Sequence, residues 1–460
     1  MNKKLFALLL CLCLALSLTA CQQPAAPAAA PTEAPAAADE ATAAPADEAT
    51  AAPADEATAA PADEAAPEVT AAPAAEGVPA DQIKVGFIFI GDENEGYTYS
   101  HYKAAMDMKE ALNLTDEQVL IKRNIPETEA AFEAAVDLAE SGCNIIFSNS
   151  FGHESYLWDA AAEYPEVQFC HATGSNAAKS GLANAHNYFT AIHEARYISG
   201  VVGGMKLQQL IDEGTITAEQ AKVGYVGAFP FAEVISGYTA FFLGVRSQCP
   251  SATMTVKYTN SWSDATLEKA AAESLIAEGC YLIGQHADTT GASQACEPAQ
   301  RHIVGYNISM IPTAEYYALT SATNKWAPYV TYAVECVING ETIVTDWSRG
   351  YVDGAVAITQ LNEKAIAPGT AEKVAEIEAA VKDGTLKVFD VTTFTCQPST
   401  DGSYQTDENG HLTSAFSQDS NGDWVNDTAE IIVDGAYAEG SLISAPCFNI
   451  IIDGITVPAE

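Results

Sequence analysis

A short apolar strand that runs into a polar loop and then a helix constrains this chain more than any other feature. Residues Val85 to Ile90 form an apolar run with the length and β-branched content of a buried strand. Gly91 to Gly96 is polar. Beyond it Tyr102, Ala105, Met106 and Met108 mark a helix, with Thr98 or Ser100 as the expected N-cap. Strand, loop and helix make the first half of a βαβ unit. In open α/β sheets, ligands sit in the crevice beyond the carboxyl ends of the strands.

The same alternation continues downstream. Strands are expected over 118–125, 144–148 and 167–172. Helices are expected over 127–141, where Ala130, Phe132, Ala135 and Leu138 share a side, up to Tyr164, and over the Gly- and Ala-rich stretch 188–206. A second series starts at Lys222, with strands over 222–229, 254–259, 281–285 and 303–306 and helices over 232–247, 264–278 and 293–301. Strands alternating with helices define an α/β fold with parallel, doubly wound sheets, and two series define two lobes with a cleft between them. Later segments (strand 319–322, helix 326–337, strand 354–361, helix 370–382, strand 386–391) require the chain to cross between lobes more than once, which makes a hinge. Trp326 is expected to pack near it. The two-lobed domain is thus assigned to 81–391. A β-rich C-terminal extension of hairpins and turns follows over 392–460, where Gly, Asp, Asn and Ser dominate.

The N-terminal segment differs in kind. Lys3 and Lys4 precede an apolar run from Leu5 to Leu18, which is shorter than the roughly 20 residues a membrane span needs. Leu18, Thr19, Ala20 and Cys21 close it in a pattern that resembles the lipobox of bacterial lipoproteins. That resemblance implies a signal peptide over 1–20, lipidation of Cys21 and an extracytoplasmic location on the cell membrane. Over 21–80 the unit Asp-Glu-Ala-Thr-Ala-Ala-Pro-Ala recurs from Asp39, Asp47 and Asp55. It lacks the apolar surface to offset chain entropy, proline interrupts helix, and the acids repel one another, so it reads as a disordered tether.

Charge and cysteines narrow the function classes. Asp and Glu number 61 against 21 Lys and Arg, a net charge of −40 with no basic patch, which disfavours nucleic acid as a partner. None of the 11 cysteines forms a Cys-x-x-Cys, so zinc ribbons and thioredoxin-like motifs are disfavoured. Cys396 and Cys447 are the first pair to test for a disulfide; the other reading leaves all eight cysteines beyond the signal region free and buried. Asp419, Asn421, Asp423, Asp427 and Glu430 offer oxygen ligands at the spacing of a calcium loop. The glycine falls at the fourth position and not the sixth, which favours an Asp/Asn/Gly hairpin turn over a metal site.

The strand ends carry a family resemblance. Gly91, Asp92, then Gly96 through His101, resemble the first loop of the basic membrane protein (BMP) family, substrate-binding lipoproteins of ABC transporters related to the purine nucleoside receptors of spirochaetes. Ser150-Phe151-Gly152, Phe169, His171 to Gly174, Ala195 to Gly200, Phe229-Pro230 with Glu233-Val234, Asn260-Ser261-Trp262, Gly284 to Asp288 and Gly305-Tyr306-Asn307 follow in the family's order, from about Lys84 to about Leu386. The resemblance implies a type I periplasmic-binding fold: two Rossmann-like lobes, a hinge and a ligand buried between them, with an ABC permease as partner. A monomer without cofactor is expected.

A purine is flat, apolar on both faces and polar at its rim, so aromatic plates and rim-reading polar groups suit it. Tyr97, Phe151, Phe229 and Trp262 stand at predicted strand ends, with Asp92, Thr98, Gln285, His286, Asp288 and Asn307 at similar places. The competing reading is core packing for the aromatics, helix N-capping for Asp92 and Asp288, and a structural role for His286. Ser309 stands where family members commonly carry aspartate, and Glu95 to Thr98 departs from the Asp-x-Ser-Phe-Asn of the nucleoside receptors. Both departures favour a purine base, such as adenine or hypoxanthine, over a nucleoside. No nucleophile–base motif, Walker loop or His-Glu-x-x-His is present, so an enzyme is not expected. The alternative is a lipid-anchored receptor or sensor for another small molecule, riboflavin or a sugar, without transport.

Overall fold

Two separate sheets take up the two strand series. The computed structural model describes residues 77–418, 426 and 428–458, within a compact unit that spans Ala71–Glu460. The stretches read above as signal peptide (1–20) and, but for residues 77–80, as tether (21–80) lie outside the described residues, Cys21 included, as do Asp419, Asn421, Asp423 and Asp427.

The first sheet is built from β1 (Val85–Ile88), β2 (Val119–Lys122), β3 (Ile145–Ser148), β4 (Gln168–Ala172), β5 (Ala185–Thr190) and β11 (Asp346–Arg349), in the order β11-β5-β4-β3-β1-β2 and parallel throughout. Its helices are α1 (Gly96–Ala111), α2 (Ala130–Glu140) and α3 (Glu154–Glu163). The helix of the organising stretch starts earlier than expected. Its cap is Glu95, whose carboxylate accepts from the Tyr97 and Thr98 amides at 2.5 and 2.9 Å, so Thr98 lies inside the first turn.

The second sheet holds β6 (Lys222–Gly227), β7 (Thr253–Tyr258), β8 (Leu282–Gln285), β9 (His302–Tyr306), β10 (Ala318–Asn324), β12 (Val356–Ile358) and β18 (Ile455–Thr456), in the order β12-β10-β9-β8-β6-β7-β18. Only β12 runs antiparallel to its neighbour. The helices α4 (Ile192–Asp212), α5 (Ala232–Gln248), α6 (Ala265–Ala277), α7 (Gly291–Ala299) and α9 (Thr370–Lys382) belong to this lobe; α8 (Ala327–Asn339) packs on α1 of the first. Doubly wound parallel lobes joined by a hinge are the expected fold class.

The chain crosses between the lobes at residues 191, 325–326 and 350–355. The crossing segments bond to one another: the Ala191 amide donates to the Arg349 carbonyl and the Lys325 amide to the Ala355 carbonyl, each at 2.8 Å. The Thr190 hydroxyl donates to Asn324 Oδ1 at 2.5 Å. Trp326 sits at the middle crossing, fully buried. Its Nε1 donates to Ser100 Oγ at 2.9 Å and its ring stacks on His101 at 4.4 Å, so the second lobe's exit strand is pinned to α1 of the first.

Two expectations need correction, one strand was not foreseen, and one open alternative on the cysteines is answered. Tyr188 belongs to β5, and the helix begins only at Ile192: β5 is buried along its whole length but carries no β-branched run to mark it. The strand β11 is a short polar edge that hydrophobic patterning does not reveal. Residues 386–391 form turns with a single bridge from Asp390 to Ala436, because their apolar side chains face the extension and not a sheet. Cys396 and Cys447 are not bonded; all eight described cysteines are free and buried.

The extension forms the antiparallel meander β13 (Tyr404–Thr406), β14 (Leu412–Gln418) and β15 (Thr428–Glu430), then the hairpin β16 (Ile432–Val433) and β17 (Ala436–Tyr437). It ends by adding β18 to the second sheet beside β7. It also reaches the first sheet, where the Ser444 amide and hydroxyl donate to Asp346 Oδ1 at 3.1 and 3.0 Å. Glu430 accepts from the Ala415 and Ile432 amides at 2.9 and 3.0 Å and from the Ser414 hydroxyl. No helix among the described residues is long and apolar enough to cross a membrane.

Candidate functional site

The carboxyl ends of the two sheets face each other across a cavity of about 400 Å³. From the first lobe it is lined by Ile90 after β1, by Asn149, Ser150 and Phe151 after β3, by Thr173 after β4 and by Tyr97 on α1. From the second come Tyr306 on β9, Glu233 in the first turn of α5, Trp262 after β7, and His286 and Asp288 after β8.

The lobes are in contact around this cavity. The Gly96 amide donates to the Asp288 carbonyl at 3.2 Å. Phe151 of the first lobe stacks on Phe231 of the second with centroids 5.3 Å apart, and Phe231 continues through Phe229 at 5.2 Å to Trp262. Phe151 and Phe231 remain 47% and 38% exposed, so this aromatic chain forms one rim of the cleft. Tyr97 is buried, and its hydroxyl donates to the Asn149 carbonyl at 2.8 Å.

Two carboxyls, Glu233 and Asp288, line the cavity beside the polar Asn149, Ser150, Thr173 and His286. Asp288 is buried, and its Oδ1 has no hydrogen-bond partner among the described residues. Burial, with Glu95, Glu268 and Glu233 nearby, pushes its carboxyl well above the usual range. His286 pairs through Nε2 with Glu233 Oε1 at 2.8 Å, and burial holds its ring below the ordinary histidine value. Arg196 is withdrawn from the cavity: its guanidinium lies 3.7 Å above the Tyr306 ring and donates to the Gln285 carbonyl at 2.6 Å.

Of the residues singled out in the sequence, Tyr97, Phe151, Trp262, His286 and Asp288 line the cavity. The others stand off it. Asp92 accepts from Asn94 in a surface turn, and Thr98 is buried in the first turn of α1. Phe229 packs behind the rim. Gln285 Nε2 donates to the Ala287 carbonyl at 2.6 Å and to that of Thr289, bracing the loop that presents His286 and Asp288. Asn307 holds a left-handed backbone at φ 57°, and its Oδ1 accepts from Asn324 Nδ2 at 3.0 Å, a hinge role. Ile90, Asn149, Ser150, Thr173, Glu233 and Tyr306 were not anticipated as site residues. For Glu233 a signal existed: an acidic residue in the first turn of a helix after a strand end faces the crevice.

Two hinged α/β lobes with a lined cavity between them define a solute-binding protein of the type I periplasmic-binding class. Solved structures agree: an ABC transporter solute-binding protein of Aeropyrum pernix K1 superposes with a TM-score of 0.57 at 18% identity, over 69% of this chain and 95% of that one. Residues 83–388 match the family model described as ABC transporter substrate-binding protein, PnrA-like, and the chain belongs to that family. A purine-binding protein of Brucella abortus (strain 2308) is 31% identical over 311 residues, 67% of this chain and 83% of the relative. A Haloferax volcanii protein provisionally named ABC transporter glucose-binding protein TsgA13 is 28% identical, over 56% of this chain and 62% of its own length. The matched region leaves out the β-rich extension, which begins where the family model stops.

Proposed function

We propose that this chain captures a purine base or purine nucleoside in the interlobe cleft and delivers it to an ABC permease, held at the outer face of the membrane by a lipid on Cys21 and a tether over 21–80. The observation that carries the reading is the wall of the cavity. Tyr97 and Phe151 from one lobe and Trp262 and Tyr306 from the other offer aromatic surface to a planar guest, while Asp288 and Glu233 offer polar contacts at its edge. The purine-binding relative supports the same class. A base is preferred to a nucleoside because Ser309 stands where family members commonly carry an aspartate. Ligand contacts both lobes at once, so it shifts an open population toward the closed form that the permease meets.

Isothermal titration of the purified domain with adenine, hypoxanthine, inosine, riboflavin and glucose tests this. Adenine or hypoxanthine is expected to bind, with inosine weaker. Trp262→Ala is expected to weaken the bound purine by about 1 to 3 kcal/mol, the usual worth of one base–aromatic stack. Binding confined to riboflavin or glucose would replace the purine reading with the receptor alternative.

A further inference from the structure

The β-rich extension is fastened to both lobes at one place. It is fixed to the second lobe by β18, which pairs with β7, and by Arg246 Nη1, which donates to the Asp453 carbonyl at 2.9 Å. Ser236 on α5 adds a third tie, its hydroxyl donating to Glu439 Oε2 at 2.6 Å. The Glu439 side chain is buried, and its Oε1 accepts from the Cys447 and Phe448 amides at 2.8 and 3.1 Å. Its Oε2 also lies 3.6 Å from Nδ1 of His193, just past the crossing at 191. The next residue already rests on the other lobe. Gly440 packs on Ser348 of β11, so closely that a Cβ there would stand 2.6 Å from Ser348 Oγ and 3.1 Å from Ser348 Cβ. A little further on, Ser444 is buried and gives both its amide and its hydroxyl to Asp346 Oδ1 on the same edge strand.

A link of this kind has no slack. Consecutive Cα atoms are about 3.8 Å apart, so β11 cannot move away from α5 without loosening either the Glu439 anchor or the seam of Gly440 and Ser444 against β11. The anchor is a buried carboxylate with three donors, and the seam is the part that yields. We propose that the extension is a strap over the hinge: its seam against β11 holds the lobes together before any ligand arrives, and opening the cleft costs the Ser444–Asp346 bonds and the Gly440–Ser348 contact. The match to the family model stops at residue 388, so the strap is an addition to the shared two-lobed domain. Holding the closed arrangement raises the fraction of protein ready to bind, which tightens any ligand that the closed form prefers. The strap concerns the lobes alone and does not depend on which ligand enters.

The test is the distance between the lobes without ligand, read by pulsed dipolar spectroscopy on a chain that starts at Gln22. Spin labels go on Thr128→Cys and Ser263→Cys, exposed positions beside the cleft-lining Ser150 and Trp262. The eight described cysteines are buried and take no label. Asp346→Ala removes the acceptor of both seam bonds and is expected to raise the ratio of open to closed protein about tenfold. Asp346→Asn keeps an accepting oxygen and is expected to stay within about threefold of wild type. Gly440→Ala presses a Cβ onto Ser348 while leaving β11 intact; it is expected to open the lobes as well, and it carries the test if Asp346→Ala fails to fold. Far-ultraviolet circular dichroism verifies folding. A distance distribution that either folded variant leaves unchanged, a wild type already wholly open, or an Asp346→Asn chain as open as Asp346→Ala overturns the strap.

Discussion

Alanine at Gly244 is expected to destabilise the domain by about 3 to 5 kcal/mol, and alanine at Gly200 by a similar amount. Helices α4 and α5 touch backbone to backbone at three glycines. A Cβ on Gly244 would run into the Tyr197 carbonyl, one on Gly200 into the Phe241 carbonyl, and one on Gly204 into the Val245 carbonyl. The obstacle each time is main chain inside a buried helix, which cannot swing aside as a side-chain tip can, so the helices must separate. Separation would open gaps around Phe241, Phe242, Val201 and Val202, all buried in the second lobe. Helix propensity points the other way: glycine to alanine in mid-helix favours folding by about 1 kcal/mol. The sign of the change therefore decides which effect governs. A fall in midpoint temperature of about 4 to 6 °C is expected from calorimetry of either variant. A rise would mean that the two helices are not in backbone contact.

The legible part of the fold was the part whose side chains announce their surroundings. Val85 to Phe89 and Lys222 to Gly227 are apolar runs between turn residues, and each is a central strand. β5 was missed because Ala185, His186 and Asn187 carry no strand pattern of their own; that strand is set by neighbours on both sides, and its polar groups are bonded within the fold, His186 to Gln168 and Asn187 to Glu154. The edge strand β11 depends on a return of the chain from the other lobe, which no local pattern records. At the site, the position of a strand's carboxyl end was readable, and the direction of a side chain there was not. Asp92 and Asp288 look alike in sequence. Asp92 closes a turn on Asn94, whereas the Asp288 backbone is held by the Trp262 carbonyl and the Gly96 amide and its carboxyl is buried near Glu95, Glu268 and Glu233. Local turn geometry claimed the first, and contact across the cleft decided the second.

Acid is expected to unfold this domain early, and the reason lies in its histidines. Burial lowers seven of the eight: His153, His186, His193 and His302 to about 4, His101 well below the usual 6.5, and His171 and His286 in the same direction. Five of these rings carry a buried nitrogen with no partner among the described residues: Nε2 of His101 and Nδ1 of His171, His186, His286 and His302. A neutral ring leaves that nitrogen as a bare acceptor, whereas an imidazolium would need an acceptor facing it. Above pH 6.5 these rings are neutral whether the chain is folded or not, and they exert no pH dependence. As pH falls below 6.5 the unfolded chain takes up protons that the folded chain refuses, and stability drops until the folded rings titrate near 4. At pH 5 each ring held at about 4 costs about 2 kcal/mol, or about 8 kcal/mol for the four. Buried acids act in the opposite sense: Asp288 is raised well above its usual range, and Glu95, Glu194 and Asp346 are raised in the same direction. Glu439 and Glu268 are pushed up to about 7 by burial, so each contributes stability below the unfolded value of 4.5 that is lost as pH rises through 7. Moving from pH 8 to pH 5 recovers about 2 to 3 kcal/mol for each. His101, His171 and His286 add to the histidine side as the other raised carboxyls add to the acid side, and urea titrations should give a domain less stable at pH 5 than at pH 8. Glu439→Gln separates the two effects. Its amide can keep the bonds that Glu439 Oε1 accepts from Cys447 and Phe448 and that Oε2 makes with Ser236, without a group to ionise. The variant is expected to be more stable than wild type at pH 8, and to lose more on going to pH 5 because the offset is gone. Equal stability of wild type at the two pH values, or a gain at pH 5, would mean that the buried rings take up their protons without unfolding.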